Sequence, residues 1–175
     1  MILVILGASC SGKTELMAEC VRQGCHKIRT NTTRGRRANE PKDAYNFITR
    51  ERFEELLRAD ELVEHAVYSG EYYGVGKKDA EVGGVVIVEP DGFRNLTRLY
   101  GDGVYSVYFN VPEDVRMERG LLRGDSMESI KRRIAGDREV FDSGLFDEVN
   151  LVLNSPKREE YPIIAALCRA VFQHK

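Results

Sequence analysis

At 175 residues, with 42% hydrophobic and 31% charged residues, the chain has the size and composition of one folded globular domain, which excludes a disordered protein. The formal net charge of -2 argues against a general nucleic-acid-binding protein, and the apolar run at 2–6 is too short for a signal sequence or a membrane span. The four cysteines form no C-x-x-C pair. We therefore expect a cytoplasmic protein with free thiols and no membrane or nucleic-acid partner, either a monomer or a homodimer.

The first fourteen residues predict a phosphate-binding loop. The run Ile2–Leu6 is typical of a strand buried on both faces. It leads into an octapeptide of the pattern G-x-x-x-x-G-K-[ST], which comprises Gly7, Ala8, Ser9, Cys10, Ser11, Gly12, Lys13 and Thr14. The two glycines let backbone amides turn toward phosphate oxygens, Lys13 would contact the β- and γ-phosphates, and the Thr14 hydroxyl would bind Mg²⁺. The loop predicts a bound nucleoside triphosphate or a similar polyphosphate.

Hydrophobic periodicity and end signals predict alternating strands and helices along the rest of the chain. In chain order we expect a strand at 2–6, a helix at 13–22, strands at 26–30 and 45–48, a helix at 49–60, strands at 62–68, 72–75 and 85–88, a helix at 92–100, a strand at 104–111, helices at 112–123 and from 126 onward, a strand at 149–153 and a helix at 159–172. This alternation indicates an α/β fold with a mostly parallel sheet.

Motifs after the phosphate-binding loop are more specific than the loop itself. Residues 30–37 (TNTTRGRR), followed by Glu40 and by residues 45–47 (YNF), resemble the guanylate kinase signature S-x-T-T-R-x-P-R-x-G-E…Y-x-F. Residues 62–74 (LVEHAVYSGEYYG) resemble the F-x-E-x-A…G-x-Y-Y-G stretch of the same family. The order of matching residues continues through Arg119, Arg123 and Arg133 to Asn154, so the resemblance covers nearly the whole chain.

The resemblance implies the P-loop NTPase fold, a three-layer α/β/α arrangement with a small acceptor-binding lobe and a helical lid. In this sequence the core would comprise 1–33, 79–119 and 143–175, the acceptor lobe 34–78 and the lid 120–142. It also implies ATP-dependent phosphoryl transfer to a nucleoside monophosphate, most simply GMP or dGMP, with Mg²⁺ as cofactor. We expect the lobe and the lid to close on the substrates and exclude water.

Residue roles follow from the resemblance. The catalytic set would be Lys13, Arg37, Arg123 and Arg133. The donor ATP would bind the octapeptide, with Asn154 near its adenine. The acceptor would bind Thr30, Arg34, Arg37, Tyr45, Glu64, Tyr73, Glu89 and Asp91. Arg34 and Arg37 can fork onto the acceptor phosphate beside the phenols of Tyr45 and Tyr73. Glu64 matches the carboxylate that accepts from guanine N1 and N2.

The sequence departs from the family pattern mainly around the acceptor base. Val75 stands where the family usually has Ser or Thr, which removes a hydrogen-bond donor, and Thr30 replaces a serine but keeps the hydroxyl. Cys10 replaces a glycine of the phosphate-binding loop. Two alternatives therefore stand beside a GMP kinase: a kinase of a phosphorylated sugar such as ribose bisphosphate, and a non-catalytic binding module like the guanylate kinase-like domains of scaffold proteins. The intact Gly12-Lys13-Thr14 sequence argues against the module.

Overall fold

Four parallel strands form the central sheet of this computed structural model. The structure describes residues 1–37, 40–68, 70–141 and 144–173, and it describes residues 172 and 173 by their backbone only. In the order in which they pair, the strands are β6 (Gly84–Ile87), β1 (Ile2–Gly7), β7 (Val104–Asn110) and β8 (Leu151–Asn154). All six residues of β1 are buried, as its continuous apolar sequence predicts. The phosphate-binding loop therefore begins at the carboxyl end of a central strand, where ligands bind in open parallel sheets.

Helices cover both faces of the central sheet. On one face, α1 (Lys13–Arg22) and α8 (Tyr161–Gln173) pack Leu16 and Ile164 against Leu3 and Ile5. On the other face, α4 (Pro90–Tyr100) and α7 (Leu145–Glu148) bury Phe93, Leu96 and Leu145. Removing such a side chain from water stabilises the fold by about 2 kcal/mol. These three layers confirm the predicted α/β class. Within the described residues, no helix combines the length and the apolar character that crossing a membrane requires.

A second, smaller sheet lies beside the first. In pairing order its strands are β3 (Asn46–Phe47), β2 (Thr30–Thr32), β5 (Glu71–Gly76) and β4 (Leu62–Tyr68). The helix α2 (Arg50–Arg58) connects β3 to β4, and the Thr49 hydroxyl caps it by accepting from the Arg52 amide at 3.2 Å. A β-bulge between Leu62 and Glu64 shifts the register of β4 against β5. Bulges re-aim side chains near active sites, and this one sets the direction of Glu64.

Two helices, α5 (Glu113–Leu122) and α6 (Met127–Val140), follow β7. The segment predicted as the lid, 120–142, contains the end of the first helix and all of the second. Pro112 precedes the first helix, and the Ser126 hydroxyl caps the second by accepting from the Ser129 amide at 3.2 Å. The two helices pack closely because Gly120 has no side chain: a Cβ there would lie 2.9 Å from a carbon of Ile130. Short 3-10 turns at Gly101–Gly103 and Arg158–Glu160 precede β7 and α8.

The structure differs from the predicted elements in three places. The strand expected at 26–30 is shifted: the bridge between Lys27 and Val85 joins the central sheet, and regular pairing begins at Thr30 in the small sheet, because the chain crosses from one sheet to the other there. The helix α3 (Lys77–Val82) and α7 were not predicted, since six and four residues are too few to show a helical period. Ser69 of the predicted turn and the predicted boundary at 142–143 lie outside the described residues.

Candidate active site

The phosphate-binding loop connects β1 to α1 in a conformation that depends on its glycines. Gly12 has a φ of 111°, and a Cβ there would overlap the hydroxyl of Tyr161. Cys10 also lies in the left-handed region, with a φ of 62°, a conformation that glycine adopts without the steric cost of a Cβ. Lys13 Nζ donates to the carbonyls of Gly7 and of Ala8, the latter at 2.8 Å. The lysine thus bridges the loop that a nucleotide would fill.

Two carboxylates balance the charge of Lys13. Burial lowers the pKa of its ammonium group, and the negative charges of Glu89 and Asp137 oppose that shift. Glu89 follows β6 and lines the cavity in front of the loop. Its Oε2 atom, like Ser11 Oγ, is buried without a hydrogen-bond partner in the part of the chain that the structure describes. An unpaired buried carboxylate oxygen indicates a donor supplied by a ligand or by a bound water.

One cavity lies between the phosphate-binding loop and the small sheet. It brings together thirteen of the predicted site residues: Ser9, Cys10, Lys13, Thr14, Thr30, Arg34, Arg37, Tyr45, Glu64, Tyr73, Glu89, Arg123 and Arg133. It is also lined by Ala66, Tyr68, Ile87 and Val88, which the sequence analysis did not select. Alternation along β4 places Glu64, Ala66 and Tyr68 on one face of the strand, so a period-two count from Glu64 would have found Tyr68.

The cavity has a basic end made by the loop after β2. Arg34 donates to Glu40 at 2.7 Å and lies 5.3 Å from the ring centroid of Tyr45. Arg37 donates its backbone amide to Glu40 at 3.1 Å, while no ion pair holds its guanidinium among the residues that the structure describes. Burial lowers the pKa of Arg37, and the positive charges of Arg34 and Arg133 lower it further. An anionic ligand bound beside Arg37 would therefore interact favourably with its guanidinium group.

Two arginines of the segment predicted as the lid, Arg123 and Arg133, also line the cavity. Arg123 and Arg133 both donate to one oxygen of Asp125, Arg133 at 2.6 Å. Both also direct a guanidinium nitrogen at the Cys10 sulfur, at 3.5 and 3.7 Å. Asp125 thus holds two cations side by side over the phosphate-binding loop.

Two buried carboxyl groups, those of Glu64 and Glu89, also line the cavity. Glu64 is 5% exposed and its Oε1 accepts from the Val75 amide at 3.1 Å. Burial raises the pKa of Glu64 to about 7, against the hydrogen bond from Val75. Burial also raises the pKa of Glu89 to about 7, although the charge of Lys13 lowers it. A Cβ on Gly92 would lie 2.6 Å from Glu64 Oε2, so this glycine leaves room for the carboxylate.

Comparison with known proteins decides the family. The family model described as guanylate kinase matches residues 1–149. The chain belongs to the guanylate kinase family. The guanylate kinase of Wolinella succinogenes is 28% identical over 186 residues, covering 99% of this chain and 86% of that protein. The guanylate kinase of Neisseria meningitidis serogroup B is 32% identical over 164 residues, covering 85% of this chain and 78% of that protein.

A solved structure has the same fold. The crystal structure of guanylate kinase from Anaplasma phagocytophilum matches with a TM-score of 0.73 at 23% identity, covering 100% of this chain and 87% of that chain. The P-loop α/β fold that the sequence resemblance implies is thereby confirmed. The family model and these relatives also identify the chain as a guanylate kinase-like nucleoside monophosphate kinase.

In this guanylate kinase-family chain, six of the predicted site residues do not line the cavity. Four of them belong to the phosphate-binding loop, namely Gly7, Ala8, Ser11 and Gly12, and the other two are Asp91 and Asn154. Asp91 is exposed in the first turn of α4, and its Oδ1 lies 3.6 Å from Arg94 Nη1. Asn154 is exposed at the end of β8 and accepts from the Asn110 amide group at 2.8 Å. A second cleft opens on the far side of the phosphate-binding loop. Its lining residues include Gly12, Thr14, Glu15, Arg119, Arg158 and Tyr161.

Proposed function

We propose that this nucleoside monophosphate kinase transfers the γ-phosphoryl group of ATP to GMP, or to dGMP, and releases the diphosphate. One observation carries the proposal: the buried Glu64 carboxylate and the two arginines Arg34 and Arg37 line a single cavity. Guanine presents two adjacent donors, N1–H and N2–H, that a carboxylate can accept, whereas adenine lacks this pair. The two arginines match the acceptor phosphate.

The base would lie along a row of three side chains on the small sheet. Glu64 is paired with Val75 in the register of β4 and β5, and Val75 is paired with Thr30 in that of β5 and β2. Paired residues point to the same face of a sheet, so a carboxylate, an isopropyl group and a hydroxyl lie next to one another. The Thr30 hydroxyl is the donor of this row for an oxygen on the base.

Phosphoryl transfer needs positioning and charge neutralisation more than covalent chemistry. The acceptor phosphate would lie between Arg34, Arg37 and the hydroxyls of Tyr45 and Tyr73. Lys13 would exchange its contacts with the loop carbonyls for the donor phosphates. The two lid arginines, already above the loop, would neutralise the charge of the transferring group. No general base is required, because the attacking phosphate oxygen is ionised at neutral pH.

The residues at the loop fit a magnesium ion. Mg²⁺ keeps several waters and takes one or two protein oxygens, so it does not need a cluster of carboxylates. Thr14 would supply its hydroxyl as a ligand, and the unpartnered Oε2 of Glu89 would accept from a magnesium-bound water. When bound, the ion neutralises charge on the β- and γ-phosphates.

A second candidate acceptor, a phosphorylated sugar such as ribose bisphosphate, is favoured by Val75. Its side chain is fully buried and offers no donor to a base. A sugar, however, would leave the Glu64 carboxylate without a function, so we rank this candidate below GMP.

A coupled assay with ATP, Mg²⁺ and a panel of acceptors tests the proposal. The panel comprises GMP, dGMP, AMP, CMP, UMP and ribose 1,5-bisphosphate. We expect GMP or dGMP to give the highest kcat/KM, and Glu64→Ala to lower that value about tenfold to a hundredfold, since hydrogen bonds to a charged group are worth about 1.5–3 kcal/mol. The matched control is Glu148→Ala, because Glu148 pairs with Arg94 outside the cavity. If the enzyme phosphorylates the sugar and Glu64→Ala leaves that rate unchanged, the acceptor is the sugar and not GMP.

A further inference from the structure

Asp137, on the lid helix α6, accepts hydrogen bonds from three other parts of the molecule. The Ser9 amide donates at 2.9 Å and the Ser9 hydroxyl at 3.1 Å. The Tyr68 hydroxyl donates at 2.8 Å, and Arg116 Nη1 on α5 donates at 2.8 Å. Asp137 is 1% exposed, and these four donors occupy both of its oxygens. It therefore acts through its partners and has no position free for a substrate.

The contacts with Arg116 and Asp137 fix the backbone of the phosphate-binding loop. The amide of Ser9 donates to Asp137, while its carbonyl accepts from Arg116 Nη1 at 3.4 Å. Arg116 is itself fixed, because its Nε donates to the carbonyl of Val111 at 3.2 Å. The peptide groups on both sides of Ser9 are thus fixed directly before Cys10, which has the left-handed φ of 62°. Strained conformations of this kind persist only where the surroundings hold them.

The fourth donor, Tyr68, comes from the acceptor side of the cavity. Tyr68 ends β4, the strand that also carries Glu64, and its side chain lines the cavity. Burial and the nearby negative charge of Asp137 raise the pKa of Tyr68, so its hydroxyl stays protonated and donates. One hydrogen bond therefore connects the strand that would bind the base to the carboxylate that holds the phosphate-binding loop.

We propose that Asp137 is a positioning residue that couples acceptor binding to the conformation of the phosphate-binding loop, through Tyr68 on one side and Ser9 on the other. The inference rests on the proposed function, because it requires two substrates. An acceptor that orders β4 strengthens the contact between Tyr68 and Asp137, which in turn stabilises the loop that binds ATP. Such coupling is reciprocal, because each substrate increases the binding affinity for the other by the same factor.

The test is titration calorimetry with a non-hydrolysable ATP analogue, in the absence and presence of saturating GMP. For the unmodified protein we expect GMP to lower the Kd of the analogue about five- to tenfold, in the lower part of the usual range for coupling between two sites. Tyr68→Phe removes only the phenolic hydroxyl, and we expect it to bring this ratio close to one. The matched control is Tyr72→Phe, because Tyr72 lies on the same small sheet and its hydroxyl accepts only from the exposed side chain of Arg50 on α2 among the hydrogen bonds of the described residues. This substitution should preserve the ratio.

Asp137→Asn tests the contact with the loop in the absence of GMP. We expect weaker binding of the analogue, by about tenfold, and faster amide hydrogen exchange at residues 8–12, because the amide group cannot accept from all four donors. Should this variant fail to fold, Ser9→Ala, which removes the 3.1 Å hydroxyl contact with Asp137 and keeps the amide contact, gives the same measurement at smaller amplitude. Unchanged analogue affinity and exchange in both variants would overturn this half of the inference.

The two hypotheses fail in different ways. GMP turnover by the unmodified protein is measured first. Turnover together with a coupling ratio of one, or a ratio that Tyr68→Phe leaves unchanged, overturns the role of Asp137 and leaves the proposed function standing. If GMP is neither bound nor turned over, the proposed function is overturned, and coupling to that acceptor is overturned with it. The measurements on Asp137→Asn still decide whether Asp137 holds the loop.

Discussion

Glu64 accepts a hydrogen bond from the backbone amide of Val75 at 3.1 Å, across the register of β4 and β5. Thr30 pairs with Val75 on the other side, so the face of the small sheet that would read the acceptor base has one carboxylate and one hydroxyl. The fully buried Val75 side chain lies between them, where the family resemblance leads to the expectation of a second hydroxyl. Under the proposed function, recognition of the base would therefore depend on Glu64 and Thr30.

Val75→Thr should increase activity toward GMP while destabilising the protein. The added hydroxyl would donate to the base oxygen, and a neutral hydrogen bond of about 1 kcal/mol raises kcat/KM about fivefold. In the free protein the hydroxyl replaces a fully buried methyl group, which costs about 1–2 kcal/mol and lowers Tm by a few degrees. Steady-state kinetics and thermal unfolding of the same preparation measure both effects.

Val86→Thr is the control for this substitution, because Val86 is equally buried but lies in the central sheet, away from the row of Thr30, Val75 and Glu64. It should lower Tm without any gain in kcat/KM for GMP. A Val75→Thr variant with unchanged or reduced kcat/KM for GMP, and with unchanged preference among the acceptors, would show that position 75 does not contact the base.

Acceptor binding should depend on pH through Glu64. Its pKa is raised to about 7, and guanine donors require the carboxylate form, so GMP binding favours loss of the proton. Affinity for GMP should therefore rise about tenfold from pH 6 to pH 8 and level off above that range. Calorimetric titrations of GMP across this range, at constant ionic strength, measure the effect. Glu64→Gln is the control: the GMP phosphate, which titrates near pH 6, remains, and only the contribution of the side chain is lost.

The same carboxylate should make the free protein less stable at high pH. Because the folded pKa of Glu64 is raised, folding retains a proton that the unfolded chain releases near pH 4.5, and the free energy of unfolding falls as pH rises from there through about 7. Glu64→Gln should therefore stabilise the free protein more at pH 8 than at pH 5, by an amount on the order of 2 kcal/mol. Urea unfolding at the two pH values measures this difference. Equal effects of the substitution at both would contradict a buried carboxylate.

The sequence predicts the parts of the site that depend on local motifs. The phosphate-binding loop, the two arginines after β2 and Glu64 all lie in short segments with fixed spacing, and the structure brings them to one cavity. Tyr68 and Asp137 are 69 residues apart and meet only through tertiary packing, so no local pattern indicates their contact. The bulge before Glu64 is likewise a property of strand pairing and not of the β4 sequence alone.

Cys10 should be a source of strain in the phosphate-binding loop. Its left-handed φ of 62° costs a residue with a side chain about 1–2 kcal/mol, and glycine adopts it freely. Cys10→Gly should therefore be more stable than Cys10→Ala by about 1 kcal/mol, after the greater flexibility of glycine in the unfolded chain is included. Both variants lack the thiol near Arg123 and Arg133, so their difference isolates the backbone effect. Chemical denaturation measures it, and equal stability of the two variants would contradict the strain.

Arg37 should be needed for activity and should lower the stability of the protein without substrates. Desolvation and the positive charges of Arg34 and Arg133 lower the pKa of Arg37, so Arg37→Met would relieve repulsion while removing a contact to the acceptor phosphate. We expect kcat/KM for GMP to fall about a hundredfold to a thousandfold, with Tm unchanged or slightly raised. Inorganic phosphate should raise the Tm of the unmodified protein more than that of Arg37→Met, because a ligand that binds only the folded state stabilises it. Arg36→Met is the control, since Arg36 is exposed and donates to the carbonyl of Glu40. Equal phosphate stabilisation of Arg37→Met and the unmodified protein would place the acceptor phosphate elsewhere.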